Sequence, residues 1–271
     1  MELIIGQSKA IRQIGDAITT LARTADVPVC IYGEPGTGKT LIAEAIHARD
    51  PRGAGRPLAV LRCATLAAYS RERDKIFDFF EDSFQIARRG TLVLKQVAVL
   101  SALSQAGLLH AIKQNVSVDT GVRVIATTTT DLLQLTQQGQ FRTDLFHRLV
   151  GFSIIVPPLR KRKADIPSLV AHFIRGFNMR HCRDIRDITP QALRLILNHD
   201  WPGNVRELKR CVERACMRTD QAVIDCTELL DTIDALKAQA NLNSGMSGTP
   251  NEEFSAGTQG PQEGPVSEER E

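Results

Sequence analysis

The stretch Gly33-Glu34-Pro35-Gly36-Thr37-Gly38-Lys39-Thr40 has the spacing G-x-x-x-x-G-K-[ST], whose chemistry is phosphate binding. Gly36 and Gly38 let the backbone wrap closely around an anion, and a helix N-terminus placed after them favours negative charge. Lys39 is positioned to reach β- and γ-phosphates, and the Thr40 hydroxyl to ligate Mg²⁺. Glu34, Pro35 and Thr37 complete the loop. The expected ligand is ATP or ADP.

Such a loop needs a strand before it and a helix after it. Val27-Pro28-Val29-Cys30-Ile31-Tyr32 is a short apolar run bounded by turn residues, and Leu41, Ile42, Ala45 and Ile46 recur at helical spacing. Upstream, Ile11, Ile14, Ala17, Ile18 and Leu21 share one helical face behind Ser8, a candidate N-cap. Ile4 and Ile5 suit either a base pocket or plain core packing. Further strands are expected at 57–61, 91–94, 122–126 and 152–156, with helix over most of 64–89 and over 101–113. Strands alternating with helices imply an α/β domain with five strands in a mostly parallel, buried sheet.

After Pro157-Pro158 the pattern turns helical. Helices are expected to open at Asp165-Ile166-Pro167, at Thr189-Pro190, at Gly203-Asn204 and over Thr227–Lys237. From about residue 238 the chain is Asn, Ser, Gly, Pro, Gln, Thr and Glu with little to bury, and disorder is expected. The expected organisation is an α/β nucleotide domain over 1–156, a small α-helical domain over 157–237 and a tail over 238–271.

An apolar fraction of 42% in 271 residues supports a substantial core, while a net charge of +3 carries no case for nucleic acid or membrane. The six cysteines include no C-x-x-C pair, which favours reduced thiols over a metal site or disulfides. No charged leader precedes Glu2-Leu3-Ile4-Ile5-Gly6 and no apolar run suits a membrane span, so a cytoplasmic protein is expected. No helix-turn-helix follows the helical segments, so no direct DNA binding is expected.

Three further stretches join the phosphate loop: Gly139-Gln140-Phe141-Arg142-Thr143-Asp144-Leu145-Phe146-His147-Arg148-Leu149, the Pro157–Pro167 run, and Trp201-Pro202-Gly203-Asn204-Val205-Arg206-Glu207-Leu208. Together they resemble the central AAA+ domain of sigma-54-dependent transcription activators, the bacterial enhancer-binding proteins, over roughly residues 4–220. The resemblance implies a P-loop AAA+ domain followed by a helical lid, working as an oligomeric ring. It implies that Arg142 and Arg148 reach as fingers into a neighbouring subunit's nucleotide site, where a planar cation suits a transferring phosphoryl group. Arg206 corresponds to the arginine linking the lid to nucleotide. The basic Arg160–Lys163 run is expected to be a solvated face or lid contact.

The departures from the family are as specific. Its third strand ends in Asp-Glu, the Asp holding Mg²⁺ and the Glu activating water; here Lys95-Gln96 follows Leu94, in a register fixed by Gln105 and Leu108-Leu109. Gln96 cannot accept a proton, and a positioned general base is worth ~10²–10⁴-fold. Lys95 reverses a charge whose pairing at about 4 Å and an effective dielectric of about 20 is worth about 4 kcal/mol. Mg²⁺ is therefore expected to lack its usual acidic ligand. Thr129 stands at the position of an Asn that senses nucleotide in the family, and Leu61-Arg62-Cys63 replaces Val-Asn-Cys. Only 26 residues separate Cys63 from Gly90, and none resembles the G-A-F-T-G-A loop that grips the sigma factor. The connection Asn115–Gly121 is also short.

These residues together predict a nucleotide-binding pseudo-ATPase that regulates transcription through protein contacts, alone or in a mixed ring with an active relative. An active variant ATPase or transcription regulator, and a nucleotide-gated interaction scaffold outside transcription, remain as alternatives.

Overall fold

The computed structural model describes residues 4–24, 27–51, 55–69, 72–115, 121–230 and 233. The expected tail over 238–271, the end of the fourth lid helix and most of the Asn115–Gly121 connection lie outside them.

Helix α1 (Lys9–Arg23) starts where the Ser8 hydroxyl accepts the Ile11 N–H, and it buries Ile11, Ile14, Ile18 and Leu21. Then follow β1 (Val29–Tyr32), α2 (Lys39–Arg49), β2 (Leu58–Arg62), α3 (Arg73–Ile86), β3 (Thr91–Lys95), α4 (Ala102–Asn115), β4 (Arg123–Thr128), α5 (Leu132–Gln137), α6 (Thr143–Leu149) and β5 (Phe152–Ile155). The five strands form one parallel sheet in the order β2-β3-β4-β1-β5. One face packs Cys30, Leu92, Leu94 and Ala126 against Phe80 and Phe84 of α3 and Leu108 of α4. The other packs Ile31, Val93 and Ile125 against α1 and α2. Burial on both faces is why these strands read as apolar runs without alternation.

The helix expected over 64–89 is divided: a tight 3₁₀ stretch, Cys63–Tyr69, precedes α3. There the Thr65 hydroxyl donates to Arg62 O at 2.7 Å, a local bond that competes with the helical ladder. The short α5 and α6 had no signal of their own, since six or seven residues hold too few turns for periodicity to register.

The helical segment contains α7 (Ile166–His181), α8 (Pro190–Asn198) and α9 (Asn204–Arg218). The Thr189 hydroxyl caps α8, and fully buried Trp201 donates its indole N–H to Ile196 O at 2.8 Å. Helix alone does not describe this segment. Two-residue strands β6 (Asp187–Ile188) and β7 (Val223–Ile224) pair in parallel, giving the extended backbone ahead of α8 its hydrogen-bond partners. No described helix is long and apolar enough to cross a membrane.

Candidate nucleotide site

The Gly33–Thr40 loop joins the carboxyl end of β1 to the amino end of α2. Gly36 and Gly38 take left-handed φ values of 79° and 103° that a side chain would strain, and Gly38 is the N-cap of α2. The loop is anchored below by the Gly33 N–H on Thr128 O at 3.2 Å and internally by Thr37, whose hydroxyl donates to Glu34 O at 2.8 Å. Lys39 folds back onto the loop, its Nζ donating to Gly33 O at 2.5 Å and Glu34 O at 2.8 Å. Burial, then the positive charges of Arg206 and Lys95, push its ammonium down to about 8, with Glu34 opposing. Such a group gains most from an arriving anion. Thr40 is half-buried in the first turn of α2.

The lid residues close directly on this loop. A Cβ on Gly36 would stand 2.1 Å from Gly203 O, and Arg206 N donates to Gly36 O at 3.3 Å. Asn204 is fully buried with a left-handed φ of 55°. Its Nδ2 donates to Pro35 O at 3.0 Å and to Glu34 Oε2 at 3.1 Å, while its Oδ1 accepts the Leu159 N–H at 2.7 Å. Arg160 forks onto the Glu34 carboxylate at 2.8 and 2.6 Å. That bond first, then the one from Asn204, holds Glu34 down to about 2. Arg162 is buried and donates to Thr37 O at 3.0 Å; burial lowers its pKa against the opposing charge of Asp165. Asp165 in turn accepts the Gln7 and Ser8 N–H groups and the Ser8 hydroxyl, each at 2.7 Å. The basic run thus contacts the loop at Arg160 and Arg162, and Asp165 just after it holds the N-terminal strap, residues 4–8.

Between strap, α2 and lid lies a largely apolar cavity of about 230 Å³. Ile4, Ile5, Leu41, Phe173 and Val205 line it. Ile4 and Ile5 therefore face a pocket beside the phosphate loop. Val205 of α9 lines this cavity, while Leu208, Cys211, Val212, Ala215 and Cys216 of the same helix are buried in the core.

At the carboxyl end of β3, Lys95 is half-buried and pairs in register with Arg62 of β2 and Thr127 of β4. Gln96 leaves the strand with φ 60° and an exposed side chain, its N–H 3.4 Å from Thr127 Oγ1. Thr129 lies in an exposed bend just beyond β4. Thr127, which sequence reasoning passed over, is paired with Lys95 in register and offers its hydroxyl to the Gln96 N–H. Two carboxylates at this end are committed elsewhere: Glu34 to the lid, and Asp131 to capping the N–H groups of Leu133 and Gln134. A magnesium ion does not fit this donor set, which offers the Lys95 ammonium beside two carboxylates that are already engaged. Among the described residues there is no cluster of three His, Cys, Asp or Glu that could hold a metal.

Arg142 and Arg148 are exposed on and beside α6, and no described hydrogen bond or ion pair joins either to the P-loop of its own chain. Arg142 is ion-paired to Asp144 at 2.8 Å. Its backbone N–H is held by buried Gln105, which also donates to Gln140 O and Leu100 O.

Comparisons with known proteins agree with this fold. The family model of the Sigma-54 interaction domain matches residues 5–159, and that of the AAA+ ATPase lid domain matches residues 160–245. The transcriptional regulatory protein ZraR of Salmonella typhimurium is 38% identical over 78% of this chain and 52% of its own length. The Nif-specific regulatory protein of Azotobacter vinelandii is 36% identical over 82% of this chain and 45% of its own. The chain thus spans about half the length of these relatives. Among solved structures, NtrX of Brucella abortus in complex with ATP has a TM-score of 0.74 at 32% identity, over 83% of this chain and 54% of that one. Its complex with ADP gives 0.72 at 29% identity, over 90% and 63%.

Proposed function

We propose, for a chain that belongs to the Sigma-54 interaction domain family, a AAA+ module that binds ATP or ADP and hydrolyses it poorly or not at all. The α/β domain through about residue 156 supplies Gly33–Thr40, and the lid after it supplies Arg206. Lys95 and Gln96 at the end of β3 carry the conclusion: an ammonium and an amide stand where a metal-binding and a proton-accepting carboxylate are needed. The solvent exposure of Arg142 and Arg148 supports action in trans, in a ring with copies of itself or with an active relative, where each would stabilise charge on a neighbour's nucleotide. The short segment between β2 and β3 supports regulation through protein contacts other than the family's sigma-gripping loop. A cytoplasmic location completes the proposal.

Steady-state turnover tests it. The purified chain should release phosphate no faster than Lys39→Ala while binding ATP that Lys39→Ala does not bind. Mixing with an active sigma-54 activator should change that partner's rate or assembly size, and Arg142→Ala should cancel the change. Turnover that Lys39→Ala abolishes would reject the pseudo-ATPase assignment.

A further inference from the structure

The alternation of side chains along β2, β3 and β4 puts two cations on one face at the nucleotide edge of the sheet. On β3, Val93 packs in the layer of α1 and α2 while Leu92 and Leu94 pack in the opposite layer, so Lys95 projects toward α2 and the phosphate loop. On β4, Ile125 lies in that same layer, which places Thr127 beside Lys95. On β2, Leu61 faces the opposite layer, so Arg62, paired with Lys95 in register, shares its face. Adjacent strands run about 4.8 Å apart, and like charges directly opposite each other are unfavourable. Among the described residues no carboxylate forms an ion pair with either. Two unpaired cations on neighbouring strands, of which Lys95 lies within electrostatic reach of the phosphate loop, are stabilised by an anion between them.

We propose that Arg62 and Lys95 form a built-in cationic site that neutralises nucleotide phosphates in place of a divalent metal, so that this chain binds ADP and ATP without magnesium. The inference rests on the nucleotide-binding assignment above. Lys95 also lies close enough for its charge to act on Lys39, which places it within electrostatic reach of the loop interior. Arg62 adds a planar fork suited to phosphate oxygens.

The test is ADP affinity of the full chain, by calorimetry, in magnesium and in excess EDTA. The natural chain should change by less than about threefold between the two, since no metal contact is lost. Lys95→Asp restores an anionic ligand, and should bind about tenfold or more weakly in EDTA and recover in magnesium. Lys95→Gln and Arg62→Gln should each weaken binding about tenfold in both buffers, and they keep the test decisive if Lys95→Asp does not fold. A tenfold loss on chelation in the natural chain would overturn the proposal, as would unchanged affinity in both Gln variants. If folded natural chain binds ADP in neither buffer, the nucleotide-binding assignment itself fails and this proposal falls with it.

Discussion

Asn204 is one of three side chains through which the lid holds the phosphate loop, with Arg160 and Arg162, and removing its amide has a magnitude that the structure sets. In Asn204→Ala the Leu159 N–H, buried and 2.7 Å from Oδ1, loses its acceptor, which costs about 1–3 kcal/mol. The residue sits at φ 55°, where alanine is less favourable than asparagine by about 1 kcal/mol. Pro35 O and Glu34 Oε2 lose a donor at the same time. The total is about 2–4 kcal/mol, and at about 2–4 °C per kcal/mol for a unit of this size it lowers Tm by roughly 4–16 °C. Thermal unfolding by circular dichroism reads it directly. Asn204→Gly, which relieves the backbone but restores no hydrogen bond, should recover about 1 kcal/mol of the loss. A destabilisation in Asn204→Ala below about 0.5 kcal/mol, the range of an ordinary surface change, would refute the bridging role.

Other consequences follow from the same contacts. Glu34 is held down to about 2 from 4.5 by Arg160 and Asn204. Its contribution is complete above 4.5 and lost as pH falls toward 2, so Glu34→Gln should flatten the stability profile in that window alone. Lys39, lowered from 10.5 to about 8 by burial and its cationic neighbours, disfavours folding while charged; stability of the nucleotide-free chain should rise from about pH 8 to 10.5 and Lys39→Met should lack the rise. Because bound phosphate needs the protonated ammonium, ADP affinity should fall above about pH 8, and calorimetry in buffers of different ionisation heat should register proton uptake on binding. Gly36→Ala places a methyl 2.1 Å from Gly203 O at φ 79°; lid and loop must part, ADP affinity should drop by about tenfold or more, and urea unfolding should show a loss of about 2 kcal/mol or more.

The sheet was legible because burial on both faces makes a strand an uninterrupted apolar run: Val29-Cys30-Ile31 and Leu92-Val93-Leu94 announce themselves. The phosphate loop was legible because its chemistry is local, with glycines, Lys39 and Thr40 within eight positions. Contacts over long sequence separation were not. That Asn204 would bond Glu34, or that Arg162 would be buried on Thr37 O, depends on the lid's docking, and a run of four charged or polar residues reads as surface. Arg62, Lys95 and Thr127 become neighbours only through strand register, which no single stretch encodes. Likewise β6 and β7 are two-residue segments that pair with each other across α8 and α9, too short for an alternation to be seen. Thr127 was missed for the same reason: β4 ends within a run of four consecutive threonines, 127–130, and only the register tells which one meets β3.

Whether nucleotide is held or consumed is decided most directly by the fate of one bound equivalent. The chain is loaded with radiolabelled ATP, separated from free nucleotide, and the bound species is followed by ion-exchange chromatography over hours. Lys95 and Gln96 at the end of β3 predict that the bound nucleotide remains ATP, with or without magnesium. Conversion to ADP at a rate that Lys39→Ala removes would contradict the account, because it would show that the site finds a base and a charge stabiliser without the two missing carboxylates.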